Sequence, residues 1–153
     1  MIDSEKSSLK YDAKHFLHAW SGENNNIKGV VVYEKNISKI AVAAEVADFD
    51  SGNSNRDAHS LEVLEALKFP MIKFYSEEIK VVDESLIMNG KLEFHGQEKE
   101  ITISSSLNEN EDFIQIQGVF QVIPTEFLIK LPSFMLAEIR DLLTIKFDLF
   151  FKK

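Results

Sequence analysis

Alternation of apolar and polar residues with period two runs through most of this 153-residue chain. Such a pattern commits a backbone to strands with one buried face. Ile40, Val42, Ala44 and Val46 fall on one side of a segment, opposite Lys39 and Glu45. Ile72 and Phe74 oppose Lys73 and Tyr75, and Leu86, Met88, Gly90, Leu92 and Phe94 oppose Asn89, Lys91, Glu93 and His95. Ile101 and Ile103 follow, then Ile114, Ile116, Gly118, Phe120 and Val122, and finally Leu143, Ile145, Phe147 and Leu149. With Val30 and Val32, and a strand expected between Leu9 and Trp20, the count reaches about eight.

The intervening turns are polar and mostly short, which predicts sequential antiparallel pairing. An all-β sheet of about eight one-sided strands must close into a barrel or fold into a sandwich. Alternation alone does not choose between them. A barrel of that size has an interior just wide enough for packed side chains or for one slender ligand. The small inward residues Ala44, Gly90 and Gly118 fit either a ligand or bends in the strands.

Two segments break the alternation, giving one or two short helices. Between Ser60 and Lys68, Leu61, Leu64 and Leu67 recur every three residues with Val63 and Ala66 beside them, an amphipathic pattern. Pro70 ends that helix and opens the next strand. Pro132 to Arg140 is expected to form a further turn or two, with Phe134, Met135 and Ile139 inward.

Residues 1–153 read as a single domain, with 44 % hydrophobic and 27 % charged residues to build and solvate a core. A formal charge of −8 without a Lys/Arg cluster argues against nucleic acid as a partner. The absence of cysteine excludes disulfides, thiolate metal sites and a Cys nucleophile. No apolar run approaches the ~20 residues of a membrane-spanning helix. Met1-Ile-Asp-Ser-Glu-Lys lacks the basic flank and apolar core of a signal peptide. A cytosolic protein, or an exported one lacking its leader, fits equally.

Arg56, Asp57 and His59 sit together in a glycine-bearing polar stretch. Arg offers a rigid fork for anions, and His59 oriented by Asp57 could serve as a base. The plainer reading is structural: Asp or Asn caps a following helix, and Arg holds the loop down. No nucleophile elbow, phosphate loop or His-Glu-x-x-His motif accompanies them. His15 and His18, with His95, are the other histidines, but carboxylates at ligand spacing are missing around them. No metal site is expected.

The stretch Asp50-Ser-Gly-Asn-Ser-Asn-Arg-Asp-Ala-His59, the segment up to Pro70, and Ile72-Lys-Phe-Tyr-Ser76 together resemble the signature of the YceI-like family. Asn89-Gly-Lys-Leu-Glu-Phe-His-Gly96 followed by Lys99-Glu-Ile-Thr-Ile103 is similar to a second element of that family, in the same order. The resemblance implies a lipocalin-like antiparallel barrel whose tunnel holds a long apolar molecule, such as a polyisoprenoid, a quinone tail or a fatty-acid-like lipid. It places Asp50, Ser51, Gly52, Asn53, Arg56, Asp57 and His59 in a turn at the barrel mouth. Phe74, Leu92 and Phe94 would face the tunnel. On the same inward faces, Val42, Ala44, Ile72, Ile116, Gly118, Phe120, Ile145 and Phe147 complete the expected ligand-binding set.

A carrier of this kind needs no catalytic residues and no cofactor beyond its lipid-like ligand, so the chain is not expected to be an enzyme. Its partner would be a hydrophobic small molecule. Many members of the family are exported, which favours a periplasmic or secreted setting. The oligomeric state is open, a homodimer being one option. Two rival readings stand beside the carrier: a small enzyme using His59 and Asp57 at the mouth, and a ligand-free barrel filled by its own twelve Phe.

Overall fold

A computed structural model describes residues 1–14, 19–131, 133–134, 137–138 and 140–153, the two dipeptides as backbone only. The alternating segments are strands: β1 (Ser8–Lys14), β2 (Ala19–Asn24), β3 (Ile27–Tyr33), β4 (Ile37–Glu45) and β5 (Met71–Val82). Then come β6 (Ser85–Phe94), β7 (Gln97–Glu109), β8 (Phe113–Val122), the two-residue strands β9 (Ser133–Phe134) and β10 (Ala137–Glu138), and β11 (Leu143–Lys152). Nine of them form one curled antiparallel sheet, in the order β2-β1-β11-β8-β7-β6-β5-β4-β3. The N-terminal stretch supplies two strands, β1 and β2, where the sequence predicts one.

Backbone bonds at the sheet's margins draw it toward closure. Ile2 pairs with Phe151 of β11, and its N–H donates to the Gly29 carbonyl of β3 at 2.9 Å. Asp3 N–H donates to Phe150 O at 2.7 Å and Lys152 N–H to Met1 O at 2.8 Å. Residues 1–3 thus fill the gap between β11 and β3. On the far side, Glu23 of β2 and Asp50 exchange both backbone bonds at 2.9 Å. Asn24 is fully buried beside that seam, and its amide bonds the Glu45 carbonyl at 3.1 Å while its oxygen accepts from Asn26 N–H at 2.8 Å. Its polar groups are therefore satisfied, as burial demands.

The helix starts earlier than the apolar periodicity predicts. Helix α1 spans Ser54–Val63, not Ser60 to Lys68, because the Asn53 side chain caps it by accepting from Arg56 N–H at 3.0 Å. It ends where Glu65 adopts a left-handed φ of 50°. That reversal turns Leu67 out of the apolar face and leaves it wholly exposed. The segment from Pro132 to Arg140 also differs from expectation. Its described backbone forms a small ribbon, with Phe134 facing Ala137 and Ser133 facing Glu138. Pro132, Met135 and Ile139 lie outside the described residues. A 3-10 turn at Pro124–Phe127 precedes this ribbon, and another at Val46–Asp48 follows β4.

The interior divides along the barrel axis. One cluster, including Ile27, Ile37, Leu86, Ile114, Ile116 and Phe151, packs the end that holds the β3–β4, β5–β6 and β7–β8 turns. A second, with Leu92, Phe94, Val122, Phe127 and Ile129, lies at the opposite end. Each fully buried Leu, Ile or Phe in them contributes about 1.5–3 kcal/mol. A bulge between Ser76 and Glu78 shifts the inward face of β5 from Ile72 and Phe74 to Ile79 and Val81.

Candidate functional site

A cavity of about 680 Å³ occupies the barrel between helix α1 and the packed end. Of the residues expected to bind ligand, Val42 and Ala44 on β4, Ile72 and Phe74 on β5 and Leu92 and Phe94 on β6 line it. Phe120 on β8 and Ile145 and Phe147 on β11 close the wall. Ile116 and Gly118 do not reach it. Ile116 is fully buried in the packed cluster. A Cβ on Gly118 would lie 2.5 Å from the Phe147 ring, so the glycine makes room for that aromatic. A Cβ on Gly90 would meet first the Tyr75 backbone oxygen and then the Phe74 ring, at 2.9 Å.

Several lining residues lie beyond the expected set: Leu9, Tyr11, Trp20 and Phe49 near the N-terminal strands, Leu143 at the start of β11, and Met88, Ile103 and Leu149 deeper in the sheet. Alternation does put the last four on inward faces. In the first group Leu9 and Tyr11 alternate with Lys10 and Asp12 along β1, whereas Trp20 and Phe49 follow no clear alternation. From Phe94 to Met88 the wall descends six residues, about 20 Å at the ~3.3 Å rise of a strand. Ile40, Met88, Ile103 and Leu149 form its lower end.

Charge is confined to one end. Arg56, Asp57 and Arg140 are the ionised side chains at the cavity, with His59 beside them. His59 and Arg140 are exposed, so the cavity reaches the surface here. The Asp57 carboxylate accepts from Ser51, from Oγ at 2.6 Å and from the backbone N–H at 3.2 Å. Asp50 accepts from Gly52 N–H at 2.8 Å. The Arg56 guanidinium lies 5.2 Å from the centre of the Trp20 ring, a cation–π contact rather than a pairing with Asp57. Burial holds the Tyr11 phenol above its ordinary pKa of 10.0, with the Asp57 charge adding to the rise. Hydrogen bonds from Trp20 and Ser51 and the nearby Arg56 oppose it in part. Tyr11 is thus a neutral hydroxyl at the polar rim.

His59 lies 3.9 Å from Glu62 on the same helix and has an exposed side chain. Among the described residues no ion pair joins it to Asp57, so the base-and-orienter arrangement is not formed. His95 is spent on the fold: its Nδ1 is 2.8 Å from Phe127 O and its Nε2 is 2.6 Å from Glu65 Oε2. His15 and His18 lie outside the described residues. Among the described residues no three His, Asp or Glu converge to hold a metal ion. None of their helices is long and apolar enough to cross a membrane.

A curled antiparallel sheet around a deep apolar cavity, polar only at its rim, defines a lipocalin-like barrel. The chain belongs to the family described as the YceI-like domain, whose model matches residues 1–151. A UPF0312 protein of Yersinia enterocolitica is 30 % identical over 111 residues, covering 69 % of this chain and 58 % of that protein. One from Enterobacter is 28 % identical over the same shares. The chain thus spans less than two thirds of the relatives it matches. Among solved structures, Burkholderia cenocepacia BcnA superposes with a TM-score of 0.89 at 19 % identity, over 99 % of both chains. A polyisoprenoid binding domain from Saccharophagus degradans gives 0.81 at 12 % identity, over 99 % of this chain and 96 % of that one. At such identities these two likenesses speak for the fold.

Proposed function

We propose that this protein binds and carries a long apolar molecule of the polyisoprenoid type, tail first, inside its barrel. The observation that carries this reading is the cavity itself: its wall follows about 20 Å of strand, lined by aliphatic and aromatic side chains, with its charges at one end only. Burying a tail gains about 0.8 kcal/mol per CH₂-sized group. About ten such groups match the free energy of micromolar binding without any polar contact. The head of the ligand would rest among Tyr11, Trp20, Arg56 and Asn53. The name of the Saccharophagus domain supports the choice of ligand class. No cofactor is required, and a periplasmic or secreted setting suits such a carrier.

The test is native mass spectrometry of the purified protein beside organic extraction of the same sample. A co-purifying hydrophobic molecule with a chain-like tail is the expected result. Protein that stays empty after exposure to farnesol, geranylgeraniol and a long-tailed quinone would overturn the reading.

A further inference from the structure

The cavity that reaches the surface beside His59 and Arg140 ends inside the barrel. Ile40, Met88, Ile103 and Leu149 border its lower end, yet each is only 2–4 % exposed. They lend it almost no free surface, so the cavity stops at their side chains. Beneath them Ile37, Leu86, Ile114, Ile116 and Phe151 are packed to 0–3 % exposure. An interior filled to that degree has no room for a further chain. Among the described residues the flanks are closed as well. Glu23 and Asp50 seal one seam with two backbone bonds, and Ile2 bridges Phe151 and Gly29 at the other.

Length and volume agree on what this space can take. The wall from Phe94 to Met88 follows about 20 Å of strand. Strands of a barrel tilt by about 40° to its axis, which leaves about 15 Å of depth. An extended polypeptide advances about 1.2 Å per bond. An isoprene unit, one bond longer than a residue, therefore spans about 5 Å. About three or four units reach from the mouth to the floor. At the ~30 Å³ that a water-sized group occupies in a liquid, the 680 Å³ cavity holds about 20 such groups. That is the carbon content of about four isoprene units. A tail folded back on itself would thus meet the volume limit where a straight one meets the floor.

We propose that the packed half of the barrel is a stop that limits the bound tail to about three or four isoprene units. Ile40, Met88, Ile103 and Leu149 form the stop. The proposal rests on the carrier reading and narrows its cargo to chains of farnesyl or geranylgeranyl size. A longer tail must leave its surplus units outside, beyond Arg56, His59 and Arg140, where they find water and charge in place of apolar wall. Length is then selected by shape alone, without any polar contact to the tail.

Competition among prenols of graded length tests this. Delipidated protein is offered farnesol, geranylgeraniol, hexaprenol and solanesol in equal amounts from detergent micelles, then separated, extracted and quantified. Farnesol and geranylgeraniol should dominate. Hexaprenol and solanesol should be retained roughly tenfold less or worse, because their surplus units leave the micelle for water. Two variants move the stop in opposite directions. Val42, half-buried on the wall beside Phe74, becomes a raised floor in Val42→Phe, which should shift retention from geranylgeraniol to farnesol. Met88→Ala deepens the well and should raise hexaprenol retention severalfold. Val42→Phe adds bulk to the hollow half and leaves the packed half intact, so it carries the test even where Met88→Ala fails to fold. Solanesol held as well as geranylgeraniol would overturn the stop and leave the carrier standing. An unchanged length profile in folded Val42→Phe would overturn it too. Protein that retains none of the four alcohols would overturn the carrier reading, and the stop with it.

Discussion

Glu65 Oε2 and His95 Nε2 lie 2.6 Å apart, joining the loop after helix α1 to the turn between β6 and β7. The other ring nitrogen reaches the Phe127 carbonyl at 2.8 Å. Removing the ring strands a buried carbonyl and unties both loops. His95→Ala should therefore cost about 2 kcal/mol, lowering Tm by roughly 4–8 °C. Differential scanning calorimetry measures it, and an unchanged Tm would mean that the bridge does not hold these loops.

Phe74 lies half-buried on the cavity wall. Phe74→Asp places a charge where an apolar tail would lie, with no partner to offset its desolvation. The variant should fold and lose its co-purifying lipid. Extraction and mass spectrometry of the folded variant decide; full lipid retention would count against ligand contact at this wall.

Asp57 and His59 make opposite forecasts. Asp57 holds Ser51 by two groups, so Asp57→Ala should lower stability by about 1–2 kcal/mol. His59 is exposed beside Glu62, so His59→Ala should leave stability within about 0.5 kcal/mol. Urea titrations of the two variants, run beside a hydrolase substrate screen, check both. An activity that His59→Ala abolishes without altering the unfolding curve would revive the enzyme reading.

Gly118 gives its side-chain space to Phe147. Gly118→Ala forces that ring to shift, and overpacking of this kind costs about 1–3 kcal/mol. Denaturant unfolding reads the loss directly. A neutral result would show that the ring relocates freely.

Tyr11 carries the pH prediction. Its phenol is held above the ordinary value of 10.0, first by burial and then by Asp57. The folded state therefore binds the phenolic proton more tightly than the unfolded chain does. The resulting stability is fully present below pH 10.0 and disappears as pH rises through the higher folded value. Wild-type protein should lose stability in that alkaline window, and Tyr11→Phe should lose less. Unfolding curves recorded across the window test this; parallel losses in the two proteins would remove Tyr11 as the cause.

Much of the fold was legible because burial of a single face fixes register. Leu86, Met88, Leu92 and Phe94 point inward as alternation requires, and most residues named for the cavity stand on its wall. Depth along the axis was not legible. Ile116 and Phe120 share one face of β8, four residues apart, yet only Phe120 borders the cavity. Helix α1 was misplaced because the apolar residues mark its later part, whereas Asn53 sets its beginning. Trp20 was missed as a site residue because β2 alternates poorly, whereas Tyr11 was legible in principle, since Leu9, Tyr11 and Ala13 alternate with Lys10, Asp12 and Lys14 along β1. The bridging by Ile2 depends on contacts with residues 29 and 151, a separation no local pattern reveals.

The two-part interior bears on what happens between one cargo and the next. Ile27, Leu86, Ile114, Ile116 and Phe151 are packed to 0–2 % exposure without help from anything in the cavity. The solid half of the barrel can therefore keep the strands in register while the hollow half empties. On the proposed carrier reading, loading and unloading would be reversible events on a standing framework, and the same molecule would serve many rounds without refolding.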